Sequence, residues 1–340
     1  MKILLSHDGS IGHYYDRTGL TKAFLALGIE AKIWDINTKS AFDAFDELDP
    51  TIFISQTYNL NRDIIKCIEE RPYLKVVLRC SDYSDDINDA AEEFPILKAT
   101  DEEIKQVEIL KEKTGKPDLF FSYNTPRALH WTTNGWNQFG PVISLMKAAD
   151  PFLWSRGEVK EHYQSDFMYL GGLHDYKKQE IYESFLSICS DFRYNVKIFG
   201  NTNWPFAQYC GYAPESELRH ISKSSSVCYH VPSKINYDNF YAVSDKIFNF
   251  AFNKCFIYTE YSKSISEVFG DSSPYYGPLD KHLAKTILNL RETNKKVDKY
   301  SSFVKENHTY LHRVEQLLKE LGEKVCLTEK IQAVINQYYY

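Results

Sequence analysis

The side chains best able to do chemistry in this chain stand where apolar runs give way to glycine. Lys2–Ser6 is one such run, and SHDGSIGHYYD (Ser6–Asp16) follows it. Gly9 and Gly12 allow a tight turn and expose N–H groups beside a helix start, a setting that favours anionic or sugar ligands. Asp8 and His13 are the titratable groups there, and a histidine near neutral pKa can act as general base. Both are catalytic candidates. The plainer reading is a βα turn whose His13 and Asp16 are solvated or cap the helix, and the residues alone weigh the two evenly. The spacing is not the dinucleotide fingerprint, because the third glycine is missing.

Five further places carry candidate side chains. In YLGGLHDYKK a strand ends in Gly171-Gly172, and Lys177-Lys178 opens the next helix. Backbone N–H groups and a lysine point charge could hold a phosphate there, although first-turn lysines are usually just exposed. IFGNTNWP places Gly200 at another strand end with Trp204 close behind, either a stacking face for a base or sugar or a core plug. In SDKIFNFAFNKCFIYT, Lys246 and Asn249 share a helix face while Phe248, Ala251 and Phe252 make the apolar stripe. In YNTPRALHWTTNGW, Arg127 and His130 interleave with aromatics, which suits stacking on a flat acceptor or an interdomain cluster. RCSDYSDD follows a strand, so Asp82 could face a cleft, though the surplus of carboxylates reads more simply as a solvated loop.

These groups need a scaffold, and the apolar pattern supplies one. The chain of 340 residues is long for a single core, which favours two domains. Strand, glycine turn (His7–His13), helix from about Thr18 to Leu27, and strand Glu30–Ile36 form a βαβ opening. The beat continues through strands Thr51–Gln56, Lys75–Cys80 and Asp118–Tyr123, helix Arg62–Glu70, an acidic helical stretch Ser84–Lys113 and a further strand in Pro141–Leu145. A second alternation follows: strand Phe167–Gly172, helix Lys178–Ser190, strand Tyr194–Gly200, helix Glu215–Lys223, strand Ser226–Val231, helix Asp245–Phe252 and strand Cys255–Thr259. The break falls near Ala148–Arg156, and the tail from about Leu279 is helix-rich. The expected domains are 1–150, 151–310 and a helical segment 311–340 packing back toward the first. Two α/β halves leave a cleft, and ligands sit outside the carboxyl ends of such strands.

Composition narrows the class. Forty Lys+Arg against 46 Asp+Glu give a net charge of -6, which removes the simplest electrostatic case for a nucleic-acid or membrane-surface binder. Seven scattered cysteines without a CxxC pair argue against a disulfide framework or a zinc site and for a reducing compartment. No run reaches the 18 or so apolar residues of a membrane span, and MKILLSHDG is too short for a signal segment. The expectation is a cytoplasmic globular protein. Walker loops, zincin helices and nucleophile elbows are absent from the sequence.

The order of features in the second half resembles the CgeB-like (spore-maturation protein) glycosyltransferase family. The matching residues are YLGGLHDYKK, IFGNTNW, YCGYAPESELRHISKSS, DKIFNFAFNKCFIYT and the terminal ENHTYLHRVEQLL (Glu306–Leu318), with QFGPVISLMKAADP (Gln138–Pro151) as the interdomain passage. The resemblance covers about Trp136 to Leu318. It implies the GT-B fold, two Rossmann-like domains facing across a cleft, and transfer of a sugar from a nucleotide-diphosphate sugar such as a UDP-sugar. It also implies that no cofactor and no metal are needed. Under it, Gly12, Gly172, Lys177, Gly200, Trp204, Lys246 and Asn249 bind donor, with Lys177 and Lys246 toward the diphosphate and Asn249 near the ribose. His13 lies beside the transfer centre with Asp8, and Arg127, His130 and Asp82 serve the acceptor. Where that family carries Glu, Gly and commonly Arg, this chain has Asn249, Lys254 and Lys246. The acceptor stays open among polysaccharide, small glycoside and modified nucleobase. Richness in Lys, Asn, Ile, Tyr and Phe fits an AT-rich bacterial or viral genome, so viral DNA modification belongs among the readings, ranked below a sugar acceptor. A nucleotide-sugar epimerase and a non-catalytic sugar-nucleotide-binding protein are the alternatives.

Overall fold

A computed structural model describes residues 1–84, 98–173, 187–232, 241–277, 279, 281–292 and 295–339. Two compact units divide the chain. The first comprises Met1–Met146 with Tyr310–Val334, the second Lys147–Thr309 with Ile335–Tyr340.

The first unit is built on β1 (Lys2–His7), α1 (Ile11–Ala26), β2 (Glu30–Asp35), α2 (Ala41–Leu48), β3 (Ile52–Gln56), α3 (Arg62–Glu69), β4 (Lys75–Arg79), α4 (Asp101–Thr114), β5 (Leu119–Ser122), α5 (Pro126–Thr132) and β6 (Val142–Ser144). The sheet has the order β2-β1-β3-β4-β5-β6, with every neighbour parallel. Its central strands are buried on both faces, which is why they read as unbroken apolar runs: ILL, IFIS, VVL and LFF. The edge strand β2 instead exposes Glu30 and Lys32, as an unpaired edge should.

Helix α1 begins at Ile11, about seven residues before the helix start read from the sequence. The turn is shorter because Gly9, at φ +85°, reverses the chain in one step. The Asp8 carboxylate then accepts the Ser10 N–H at 3.0 Å, so that Ser10 precedes the helix directly. Gly12 and His13 thus fall in the first turn of α1 rather than in a loop. Residues 85–97 of the acidic stretch lie outside the described residues; Thr100 and Glu103 close a capping box on its described helix, α4.

The second unit contains α6 (Pro151–Trp154), β7 (Ser165–Leu170), β8 (Val196–Phe199), α7 (Leu218–Ser224), β9 (Ser225–His230), α8 (Asp245–Phe252), β10 (Ile257–Thr259), α9 (Lys263–Phe269), β11 (Tyr275–Tyr276), α10 (Ala284–Glu292) and α11 (Lys296–Asn307). Its parallel sheet runs β11-β10-β9-β7-β8. Successive strand residues face opposite sides, so Phe167 and Tyr169 enter one apolar cluster while Met168 enters the other. Val227 and Tyr229 are likewise separated from Cys228, and both faces of this sheet are covered.

Two helices end the chain, α12 (Tyr310–Glu320) and α13 (Thr328–Tyr339). The first packs on α1 within the first unit. Among the described residues no helix is long and apolar enough to cross a membrane.

Candidate functional site

In the first unit the chain leaves β1 for β2 on one side and returns to β3 on the other. The carboxyl ends of β1 and β3 therefore flank a topological switch point, where ligands bind in open α/β sheets. Asp8 stands at this point. Its Oδ1 accepts the Ser10 N–H, and its Oδ2 accepts Gln56 Nε2–H at 3.1 Å and the Tyr58 hydroxyl at 3.1 Å. Arg79 Nη1, at the end of β4, donates to Gln56 Oε1 at 2.6 Å, and its guanidinium lies 4.9 Å from the centre of the Tyr123 ring. Arg17 on α1 is buried nearby and donates from Nη2 to the Ser55 carbonyl at 3.2 Å.

Of the residues the sequence singled out here, Asp8 sits in this network. The surroundings of Gly12 and the side chain of His13 are outside what the structure describes. Gln56, Tyr58 and Arg79 were missed. Two of them close apolar strands and look like strand residues in sequence; only the parallel register brings them together.

Asp82 follows β4 and is buried, not solvated. Removal from water pushes its carboxyl up to about 7, against the opposing pull of the Asn124 hydrogen bond and the Arg79 charge. Asn124 Nδ2 donates to it at 3.3 Å and to Thr132 Oγ1 at 2.9 Å. Arg127 and His130 lie on α5, whose buried side is Ala128 and Thr132, and both are exposed.

In the second unit the switch point falls between β7 and β9. Gly171 and Gly172 follow β7 and Gly200 follows β8. A Cβ on Gly200 would stand 2.2 Å from the Gly171 carbonyl oxygen, so only glycine lets these two strand ends approach. A Cβ on Gly171 would stand 2.9 Å from Lys246 Nζ, which places that ammonium against the carboxyl end of β7. Lys246 lies in the first turn of α8, and its ammonium has no hydrogen-bond or ion-pair partner among the described residues. Burial holds its pKa below the ordinary lysine value, opposed by Asp245 and assisted by the nearby Lys147 charge. Lys177, expected to join it, lies outside the described residues.

Two of the expected donor contacts have other duties. Trp204 is 5% exposed, packs edge-on to Tyr169 at 5.3 Å and donates its indole N–H to the Gly171 carbonyl at 3.1 Å. It is the core plug of the plainer reading, with little open face for a base or sugar. Asn249 is buried, and its Oδ1 accepts the Asp150 N–H at 2.9 Å. That bond steadies the Asp150 cap of α6, whose carboxylate accepts the Phe152 and Leu153 N–H groups. At the ends of β9 and β10 the structure adds His230, with Nδ1 3.2 Å from Thr259 Oγ1, and Glu260, which accepts the Tyr229 hydroxyl at 2.8 Å.

Two parallel sheets, each flanked by helices, also occur in solved glycosyltransferases. The DNA-modifying enzyme β-glucosyltransferase, solved with and without uridine diphosphoglucose, aligns over 95% of this chain and 100% of its own. Its TM-score is 0.55 at 13% identity. Sucrose-phosphate synthase from Thermosynechococcus elongatus aligns over 98% of this chain and 100% of its own, with a TM-score of 0.58 at 9% identity. HepE from Anabaena, solved with UDP-glucose, aligns over 95% of this chain and 99% of its own, with a TM-score of 0.52 at 9% identity. The chain has the GT-B fold. Residues 180–319 match the model of a family described as glycosyl transferase-like, a span that includes Lys246 and Asn249. This match agrees with the glycosyltransferase expectation. No curated protein matches the chain in sequence.

Proposed function

We propose that this GT-B protein transfers a sugar from a nucleoside-diphosphate sugar to an acceptor hydroxyl, with the donor held in the second unit and the acceptor in the first. The observation that carries the proposal is Lys246: an ammonium with no carboxylate hydrogen-bonded to it among the described residues, set against a glycine corner at the β7/β9 switch point. A site that keeps a desolvated cation unpaired is poised for an anion, and a departing diphosphate gathers negative charge in the transition state. UDP-sugars are the first donors to try, since β-glucosyltransferase and HepE were solved with UDP-glucose. Within this reading the family is CgeB-like, the transferred group is a hexose or pentose, and lysine charge stands in place of a metal. Seven free thiols, five of them buried, support the reducing, cytoplasmic setting.

In the reaction the acceptor hydroxyl gives its proton to Asp8 as its oxygen bonds to the anomeric carbon. The bond from that carbon to the phosphate oxygen breaks, and the nucleoside diphosphate leaves with the electron pair. The test is a thermal-shift series with UDP, UDP-glucose and the other nucleoside diphosphates. A ligand at a hundred times its Kd stabilises the native state by about 2.7 kcal/mol. Lys246→Ala is expected to remove the shift for the ligand that gives it in the wild type. A shift left intact in that variant would remove Lys246 from the site.

A further inference from the structure

We infer that Gln56 and Arg79 are positioning residues that hold the Asp8 carboxylate in the orientation needed to receive the acceptor proton. The inference rests on the glycosyl-transfer reading for its purpose, but the orientation itself can be tested without it. Gln56 ends β3 and is fully buried, and it pairs directly with Arg79 across the β3–β4 ladder. Parallel partners in register send their side chains to the same face. A guanidinium donates only, so the group it meets at 2.6 Å must be the amide oxygen of Gln56. The amide nitrogen is thereby turned toward Asp8 Oδ2, 3.1 Å away. Arg79 thus decides which end of the Gln56 amide the carboxylate sees.

Every oxygen of Asp8 is then located. Oδ1 is tied to the Ser10 N–H and Oδ2 to Gln56 Nε2, while the single proton of the Tyr58 hydroxyl is shared between Oδ2 and the nearer Gln56 Oε1. Neighbouring charged and titratable groups come from each adjoining element: His7 on β1, Tyr14, Asp16 and Arg17 on α1, Tyr58 after β3, Arg79 on β4 and Tyr123 after β5. Of these, Tyr58 reaches Asp8 Oδ2 directly, at 3.1 Å. A purely structural staple along the sheet edge would use the same bonds, so the test must read the carboxylate itself.

The measurement is the titration of Asp8, followed by carbon NMR of protein labelled at its aspartate carboxyl carbons and assigned with Asp8→Asn. Gln56→Glu replaces a donor with a second carboxylate beside Oδ2, and the Asp8 midpoint should rise by about one pH unit or more. Arg79→Met frees the amide to turn and should raise it less, while Arg79→Lys, which keeps a donor to Oε1, should stay near the wild type. Tyr58→Phe removes the outer donor and gives a second, milder rise should Gln56→Glu not fold. Equal midpoints in the wild type and every folded variant would overturn the inference. Hydrolysis of UDP-glucose by the same proteins is read in parallel. No turnover in the wild type, with the Asp8 midpoints moving as described, would count against glycosyl transfer and leave the positioning device standing.

Discussion

At the level of single residues, Asp82 carries the clearest consequence for pH. Its carboxyl is pushed up to about 7 in the folded chain, chiefly by burial, against about 3.9 for an exposed aspartate. Between those values the folded state keeps a proton that the unfolded state has lost. Stability from this group is therefore full below about pH 4, falls as pH rises, and its loss is complete above about pH 7. Asp82→Asn has no carboxyl to ionise, and its amide oxygen can still accept from Asn124. The variant should match the wild type near pH 4 and exceed it at pH 8, by an amount on the order of a few kcal/mol. Urea unfolding at both pH values checks this, and an equal difference at the two would exclude Asp82 as the cause. The same residue shows what sequence can reveal about a site. Asp82 and Asp8 were legible because each follows an apolar run, where a strand must end. Gln56 and Arg79 were not, since their meeting depends on which strands become neighbours, and no spacing along the chain encodes that. Trp204 misled because a strand-end tryptophan has the same signature whether its ring is open or plugged into the core.

Among the elements, the strands were the easiest to read and helix α1 the hardest to place. Runs such as IFISQ and KVVLR are buried on both faces, so their apolar character is continuous and marks them out. Strand β11 has two residues and offers no pattern to find. The first ten residues of α1, IGHYYDRTGL, mix glycine with polar side chains and hide the helical period until its second half. Gly19, in that helix, is explained only by its packing. A Cβ there would lie 2.4 Å from the Tyr310 ring, which is buried and tied through its hydroxyl to Asp16 Oδ1 at 2.7 Å. The ring cannot simply withdraw. Gly19→Ala should gain up to about 1 kcal/mol of helix propensity and lose about 1–3 kcal/mol to overpacking, for a net destabilisation. The cost should vanish in a Tyr310→Ala background and persist with Tyr310→Phe, which keeps the ring. Denaturant midpoints of the six proteins measure that coupling, and a penalty independent of residue 310 would sink the explanation.

On the scale of the whole chain, the first unit is assembled from two distant stretches, Met1–Met146 and Tyr310–Val334. Its late piece is core rather than trimming. Helix α12 buries Leu311, Val314, Leu317 and Leu318 completely. Arg313 is buried with them, its Nε donates to the Met146 carbonyl at 2.6 Å, and burial presses its pKa down to about 10. Gln316 Nε2 donates to the Ser144 carbonyl at the end of β6 at 2.9 Å, and Lys75 at the start of β4 reaches the Leu321 carbonyl at 2.7 Å and Glu323 at 2.6 Å. Burying an aliphatic side chain of this size stabilises a domain by about 1.5–3 kcal/mol. Four of them together match the 5–15 kcal/mol that separates a typical folded domain from its unfolded chain. The first unit is therefore expected to close only once residues beyond 310 have been made. A fragment of residues 1–150, cut where the sequence alone would put the boundary, should lack a cooperative unfolding transition and bind hydrophobic dyes. Residues 1–146 joined by a short glycine-serine linker to 310–334 should regain the transition in urea. A cooperative transition in the 1–150 fragment would show that the β1–β6 sheet supports itself, and that α12 is dispensable to it.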